Sequence, residues 1–276
     1  MRSVHLAETD INLRRVGIAL VHTAARIIHR TDRAFVPEFQ LTGTVGEIER
    51  LAESDLVPVS QNDQGILLCC SAQRMLQKLI SALGAHDMIV PVSGYRSAEE
   101  QRDIFESSMR ENGAEFTNAY VAPVNASEHQ TGLAIDLGEN MPDIDFIRPS
   151  FPYHGICQKF RQSAPFFGFV ERYSEDKTSI TGIAHEPWHF RYVGVPHSLI
   201  MARLNMALEE YIDYLRQFTY DSGPLVEEMG DKIIKIYYSS LDGHASKALS
   251  IPADRPAYIS GNNNDGLIIT VWDNAD

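Results

Sequence analysis

The sequence predicts a mixed helix-and-strand domain followed by a small β-rich appendage, and three observations carry that prediction. Amphipathic runs at 65–83 and 196–218 repeat apolar residues with a helical period, and a capping box opens a further helix over 97–111. Short runs of strand-forming residues at 88–92, 133–137 and 188–193 lie between them. At Asp221-Ser222-Gly223-Pro224 the composition shifts, and strand patterns follow. The expected organisation is a main domain over 1–220 and a β appendage over 221–276.

In chain order, Val16 to Ile28 reads as a strand leading into a loop. Gly65 to Leu83 reads as a helix, because Leu68, Met75, Leu76, Leu79, Ile80 and Leu83 fall largely on one face and Gly84 suits a C-terminal stop. Cys69 and Cys70 follow the apolar run Ile66-Leu67-Leu68 and are expected as buried free thiols. With Cys157 they make three cysteines and no C-x-x-C, so neither a disulfide framework nor a thiolate metal site is expected. Met88 to Val92 reads as a buried strand. Ser97-Ala98-Glu99-Glu100 is a capping box that starts a helix to about Glu111, closing near Gly113. Ser93-Gly94-Tyr95-Arg96 is then a strand end or turn ahead of that helix. Leu133 to Leu137 reads as a short strand bracketed by Gly132 and Gly138, and Phe166 to Tyr173 is aromatic and compact. Trp188 to Val193 reads as a strand. Pro196 and Ser198 open one long helix to about Phe218, through Ile200, Leu204, Leu208, Tyr211, Ile212 and Leu215. Strands are expected at 232–239, 257–260 and 267–272, with Asp242-Gly243 and Asp265-Gly266 as hairpin turns.

The 276 residues carry a formal net charge of −13. That balance argues against a nucleic-acid binder, which needs a basic face, and against adsorption to an anionic membrane. Hydrophobic residues make up 44%, enough for a packed core. The N-terminal sequence lacks the basic start and apolar core of a signal peptide, and no run approaches the roughly 18 apolar residues of a membrane span. A cytoplasmic location is therefore expected.

Two segments concentrate metal-ligand chemistry. In Ser127-Glu128-His129-Gln130-Thr131-Gly132-Leu133-Ala134-Ile135-Asp136, a loop histidine is followed seven residues later by an aspartate on a short strand. Imidazole plus carboxylate suits zinc. In His185-Glu186-Pro187-Trp188-His189 the letters match the helical zinc-protease pattern H-E-x-x-H, which needs both histidines on one helical face. Pro187 lies inside it, and the flanks are turn- and strand-prone, so Glu186-x-x-His189 at a strand start is the better division, with His185 a bystander. His129, Asp136 and His189 then make three protein ligands and leave an open position for water, as catalytic zinc requires. Arg96, taken alone, reads as a surface partner near a helix N-terminus. Ser174-Glu-Asp-Lys177 matches S-x-x-K by four letters only and lacks its companion motifs.

Four segments together resemble the zinc D,D-carboxypeptidase family of VanY, with its VanX and VanXY relatives, and most of all the bifunctional VanXY type. They are Ser93-Gly-Tyr-Arg96-Ser-x-x-x-Gln101; Ser127-Glu-His129 through Asp136; Gly168-Phe169 through Arg172-Tyr173; and Ile180-Thr-Gly182 through Glu186-Pro-Trp-His189-Phe-Arg-Tyr-Val-Gly194. The resemblance covers about residues 60–217. It departs at Ser174, where the family often has Pro, and at Ile183, where Tyr is common. It implies an α+β fold of Hedgehog/D,D-peptidase type, with a small central antiparallel sheet flanked by helices. It implies one zinc per chain held by His129, Asp136 and His189, with Glu186 as catalytic base. Arg96 would face the scissile carbonyl, and Gln101 and Ser127 would hold the substrate's terminal carboxylate.

The function this implies is hydrolysis of D-Ala-D-Ala, or removal of the terminal D-Ala from peptidoglycan precursors, in the service of glycopeptide resistance. The expected partner is a small peptide ending in D-Ala-D-Ala, with no nucleic acid, membrane or protein partner. A plain carboxypeptidase, an L,D-peptidase or endolysin in wall remodelling, and a zinc-stabilised binding module remain alternatives.

Overall fold

The structure, a computed structural model, describes residues 56–60, 65–123, 125–240, 256–262 and 266–274. The expected strand at 16–28 and the Asp242-Gly243 turn lie outside the described residues. A two-stranded ribbon, β1 (Leu56–Pro58) and β2 (Leu67–Cys69), leads directly into helix α1 (Cys70–Leu83). The expected helix from Gly65 thus begins five residues later, because Leu67 and Cys69 pair with Pro58 and Leu56. Cross-strand pairing overrides a helical period that local sequence alone would support. Cys69 is buried as expected, but Cys70, the first helical residue, is exposed. Ala72, Met75, Leu76, Leu79 and Ile80 form the buried stripe of α1, and Gly84 closes it in the left-handed conformation (φ 60°).

Strand β3 (Ile89–Ser93) follows, then α2 (Ala98–Glu111). The capping box forms: Glu100 N–H donates to Ser97 Oγ at 3.1 Å, and Ser97 N–H to Glu100 Oε2 at 2.7 Å. Gly113 does not end the helical region; after Asn112 a second helix, α3 (Gly113–Tyr120), begins there. The chain continues through β4 (Ala134–Glu139), α4 (Gly155–Ser163), β5 (Phe169–Tyr173), the short α5 (Thr178–Thr181) and β6 (Glu186–Tyr192). Gly138 is a residue of β4, not a turn.

The central sheet is antiparallel throughout, in the order β3-β4-β6-β5. Strand alternation gives it two distinct faces. Ile135, Leu137, Trp188 and Phe190 point into a core closed by α1 and α4, where Phe151, Phe160 and Phe190 meet edge to face at 5.0–5.6 Å between centroids. Each of those residues, fully buried, contributes about 1.5–3 kcal/mol. Their neighbours Asp136, His189 and Arg191 take the opposite face, and all are buried.

Helices α6 (His197–Leu204) and α7 (Leu208–Leu215) replace the single long helix expected to Phe218. Asn205 adopts φ 50° between them, a conformation asparagine tolerates, and Glu210 accepts the Ala207 N–H at 2.8 Å to start the second helix. Ile200, Leu208, Tyr211, Ile212 and Leu215 nonetheless enter one core, so their apolar period conceals the break. That second core is shared with a C-terminal sheet of β7 (Leu225–Met229), β8 (Lys232–Ser240), β9 (Ala257–Gly261) and β10 (Gly266–Asn274), in the order β7-β8-β10-β9. Leu225, Ile234, Ile236 and Ile268 are its contribution. His197 spans the junction: one ring nitrogen lies 2.8 Å from Tyr211 Oη and the other 3.0 Å from Thr270 Oγ1. Among the described residues no helix is long and apolar enough to cross a membrane.

Candidate metal centre

Register assembles the site. Ser93 of β3, Asp136 of β4 and His189 of β6 lie in one row across three strands, since Ser93 pairs with Asp136 and Asp136 with His189. The register shifts between Pro91 and Ser93, and again opposite Glu171 and Tyr173. Bulges of this kind re-aim the chain beside functional sites. The turn Glu128–Thr131 precedes β4 and brings His129 alongside, with Gly132 turning the chain at φ 64°. Gly94 is needed for a different reason: a Cβ there would lie 2.4 Å from Leu67 O, because β2 crosses the chain at that point. Gly94 O in turn accepts His129 Nδ1–H at 2.6 Å, which leaves Nε2 as the free nitrogen of that ring.

Asp136 is the hub. Its Oδ2 lies 3.2 Å from His129 Nε2 and 3.0 Å from Arg96 Nη2; its Oδ1 lies 3.0 Å from His189 Nδ1. One ligand atom from each of His129, Asp136 and His189 falls within 4.8 Å of the others. Two imidazole nitrogens and a carboxylate oxygen, buried and convergent, form a donor set that can hold a divalent ion of the zinc type and leave a position open. Glu186 Oε2 stands 3.8 Å from His189 Nδ1. Arg96 also donates from Nε to Ser93 Oγ at 3.0 Å and from Nη1 to Gln101 Oε1 at 3.4 Å, while Gln101 Nε2 donates to Ala122 O at 2.7 Å. Gln101 is fully buried, and Ser127 is buried two residues before His129.

The charges are strongly perturbed, a pattern that clusters at functional sites. Burial, reinforced by the Asp136 and Glu128 carboxylates, pushes Glu186 up to about 8 against the pull of His189 and Arg96. Burial alone would lower His189, but its contacts with Asp136 and Glu128 carry it up to about 9. Burial and Arg96 hold His129 below its ordinary value. Burial would raise Asp136, yet the two histidines keep it well below the usual carboxylate range.

His185 does not join this group. Its Nε2 lies 2.7 Å from Tyr153 Oη and its ring stacks on that of Tyr153 at 5.8 Å, beside Glu171. It lines a separate cavity of about 630 Å³ along β5, with Arg161, Glu171, Lys177 and Met201. The helical H-E-x-x-H arrangement is absent, because Glu186 to Tyr192 is a strand. Residues that sequence reasoning did not single out are Glu128, Arg172 and Arg191. Glu128 Oε2 lies 3.4 Å from His189 Nε2, and Oε1 lies 2.8 Å from Arg172 Nε and 3.4 Å from Arg191 Nη1. Burial would raise Glu128, but the two guanidinium groups outweigh it and hold the carboxyl well below its usual range. The available signal was an arginine in each of two aromatic-rich strand runs, Phe-Val-Glu-Arg-Tyr and His-Phe-Arg-Tyr-Val.

Residues 66–195 match the family model VanY, D-alanyl-D-alanine carboxypeptidase. The chain is 44% identical over 163 residues to the bifunctional D-Ala-D-Ala dipeptidase and D-Ala-D-Ala carboxypeptidase VanXYC of Enterococcus gallinarum, covering 59% of this chain and 85% of that protein. It is 35% identical over 232 residues to a D-alanyl-D-alanine carboxypeptidase of Enterococcus faecium, covering 80% of this chain and 70% of that one. The crystal structure of the vancomycin-resistance D,D-dipeptidase VanXYg, in complex with a D-Ala-D-Ala phosphinate analog, superposes with a TM-score of 0.74 at 48% identity, covering 79% of this chain and 86% of that one. A buried His-Asp-His centre on an antiparallel sheet, in a chain so similar along most of each relative's length, belongs to a member of the VanY D-alanyl-D-alanine carboxypeptidase family.

Proposed function

We propose that this chain is a zinc-dependent D,D-peptidase that hydrolyses D-Ala-D-Ala and removes the terminal D-Ala of peptidoglycan precursors, with one zinc held by His129, Asp136 and His189. The observation that carries the reading is the convergence of those three buried ligands with Glu186 and Arg96 immediately beside them. Bound there, zinc supplies Lewis acidity, lowering the pKa of water toward about 7 and polarising a carbonyl. Glu186, a buried carboxyl beside the three ligands, takes the proton of the attacking water and returns it to the leaving amine. Arg96, always charged, stabilises the negative charge that develops on the carbonyl oxygen. Gln101 and Ser127 hold the terminal carboxylate of the substrate. A purely structural metal site would need neither Glu186 nor Arg96.

Similarity to a bifunctional relative at 44% identity supports action on both dipeptide and precursor. Clearing D-Ala-D-Ala termini would favour glycopeptide resistance, and the VanXYg similarity points the same way. Three free thiols, with Cys70 exposed, fit a reducing cytoplasmic setting. The catalytic unit is assigned to 1–220, and 221–276 to an appendage without chemistry of its own. The test is D-Ala release from D-Ala-D-Ala and from a precursor pentapeptide, with and without a chelator. Comparable, zinc-dependent turnover of both is expected. No zinc-dependent release from either overturns the proposal, and a bias of about a hundredfold toward the pentapeptide, worth ~2.7 kcal/mol, reduces it to a plain carboxypeptidase.

A further inference from the structure

The ring of His189 is gripped from both sides. Nδ1 faces Asp136 Oδ1 at 3.0 Å, on the side where His129 converges; Nε2 faces Glu128 Oε2 at 3.4 Å. An imidazole can present a lone pair from Nδ1 only when its other nitrogen carries the proton, and the group beyond that nitrogen decides which tautomer persists. Glu128 is a strong acceptor at that position, and it is buried. Isolated, a carboxylate there would be too costly to keep. It is instead clamped by Arg172 Nε at 2.8 Å and by Arg191 Nη1 at 3.4 Å. Arg172 is itself held in a two-pronged pair by Glu209, at 2.9 and 2.5 Å, and Glu209 lies in the first turn of α7. The chain of contacts therefore runs from the helix that packs on the C-terminal sheet, through Arg172 and Glu128, to the far nitrogen of a ring in the candidate metal centre.

We propose that Glu128 is a positioning residue for the metal centre: it accepts His189 Nε2–H, so that Nδ1 is the nitrogen offered to the metal, and the Glu209–Arg172 pair with Arg191 holds the carboxylate in place. This rests on the reading of His189 as a metal ligand. Glu128 does not touch the metal or the substrate; it acts through His189. Carboxylates placed this way behind a ligating histidine fix ring orientation and raise ligand basicity, and their removal costs about 10–100-fold in metal affinity or activity.

The test compares the full chain with Glu128→Ala and Glu128→Gln, measuring zinc affinity by chelator competition and, at saturating zinc, kcat and KM for D-Ala-D-Ala. Glu128→Ala should bind zinc about 10–100-fold more weakly and lose kcat with little change in KM. Glu128→Gln keeps a carbonyl oxygen facing Nε2–H and should recover most of the lost affinity. If Glu128→Ala binds zinc as tightly as the parent, or Glu128→Gln is as defective as Glu128→Ala, the proposal is overturned. Should either variant fail to fold, the parent decides: long-range ¹H–¹⁵N spectra of the zinc-loaded chain should show His189 protonated at Nε2, and a proton on Nδ1 refutes the assignment. A parent that binds no zinc at all refutes instead the metal-centre reading on which the proposal rests.

Discussion

Lowering the pH should loosen the junction between the second core and the C-terminal sheet, because His197 is buried there as a neutral ring. Its two nitrogens meet Tyr211 Oη and Thr270 Oγ1, both groups that accommodate a neutral imidazole, and no carboxylate contributes to its shift. Burial pulls its pKa down from 6.5 to about 4. The folded pKa lies below the unfolded one, so between those values the unfolded chain binds more protons and stability rises with pH. The contribution is complete above about pH 6.5 and is lost as the pH falls toward 4. A shift of this size is worth on the order of 3 kcal/mol in full, and about 2 kcal/mol of it should be gone at pH 5. The assay is urea unfolding of the metal-free chain at pH 7.5 and pH 5, for the parent and for His197→Gln. The glutamine does not titrate, so every other ionisable group cancels in the difference between the two proteins. The parent should lose about 2 kcal/mol more than the variant over that interval. Equal losses would refute a buried neutral His197 at this junction.

Other perturbations separate the elements of the site. His185→Ala should keep near-stoichiometric zinc, since His185 contacts Tyr153 and Glu171 rather than the cluster, whereas His129→Ala and Asp136→Ala should each lose it; elemental analysis after dialysis distinguishes these outcomes, and the reverse pattern would relocate the centre. Arg96→Ala should cut kcat by about 10²–10³ in steady-state assays, and a rise in KM with kcat preserved would show that Arg96 acts only in substrate binding. Gly94→Ala should destabilise the chain by about 1–3 kcal/mol in thermal unfolding, because its Cβ would collide with Leu67 O and push away the carbonyl that holds His129; an unchanged Tm would mean that β2 yields easily there.

The parts of this molecule governed by short-range rules were legible in its sequence. Ser97 and Glu100 cap α2 as their spacing predicts, Gly84 stops α1, and Pro187 inside His185–His189 does mark a strand. The elements misread are those where a distant partner decides. Leu67 to Cys69 carry an acceptable helical pattern and become strand only because Leu56 to Pro58 run beside them. The helix expected to run unbroken past Leu204 divides at Asn205, and the sequence hides the break because both halves bury their apolar faces in one core. The site divides the same way. His129, Asp136 and Glu186-x-x-His189 were visible as ligand types at suggestive spacings, and the structure brings them together. The support from Glu128, Arg172 and Arg191 was not visible, because each is a single charged residue in a strand or turn whose meaning depends on three segments meeting.

The central claim, that Glu186 does the proton transfers at a zinc centre built by three other residues, is tested most directly by measuring zinc content and D-Ala release together in Glu186→Ala. Glu186 is buried beside the ligand cluster without being one of its three members. The variant should therefore retain about one zinc per chain while turnover falls by about 10²–10⁴. Undiminished turnover with zinc bound would contradict the assignment of Glu186, and loss of zinc with loss of turnover would make Glu186 part of the metal site instead.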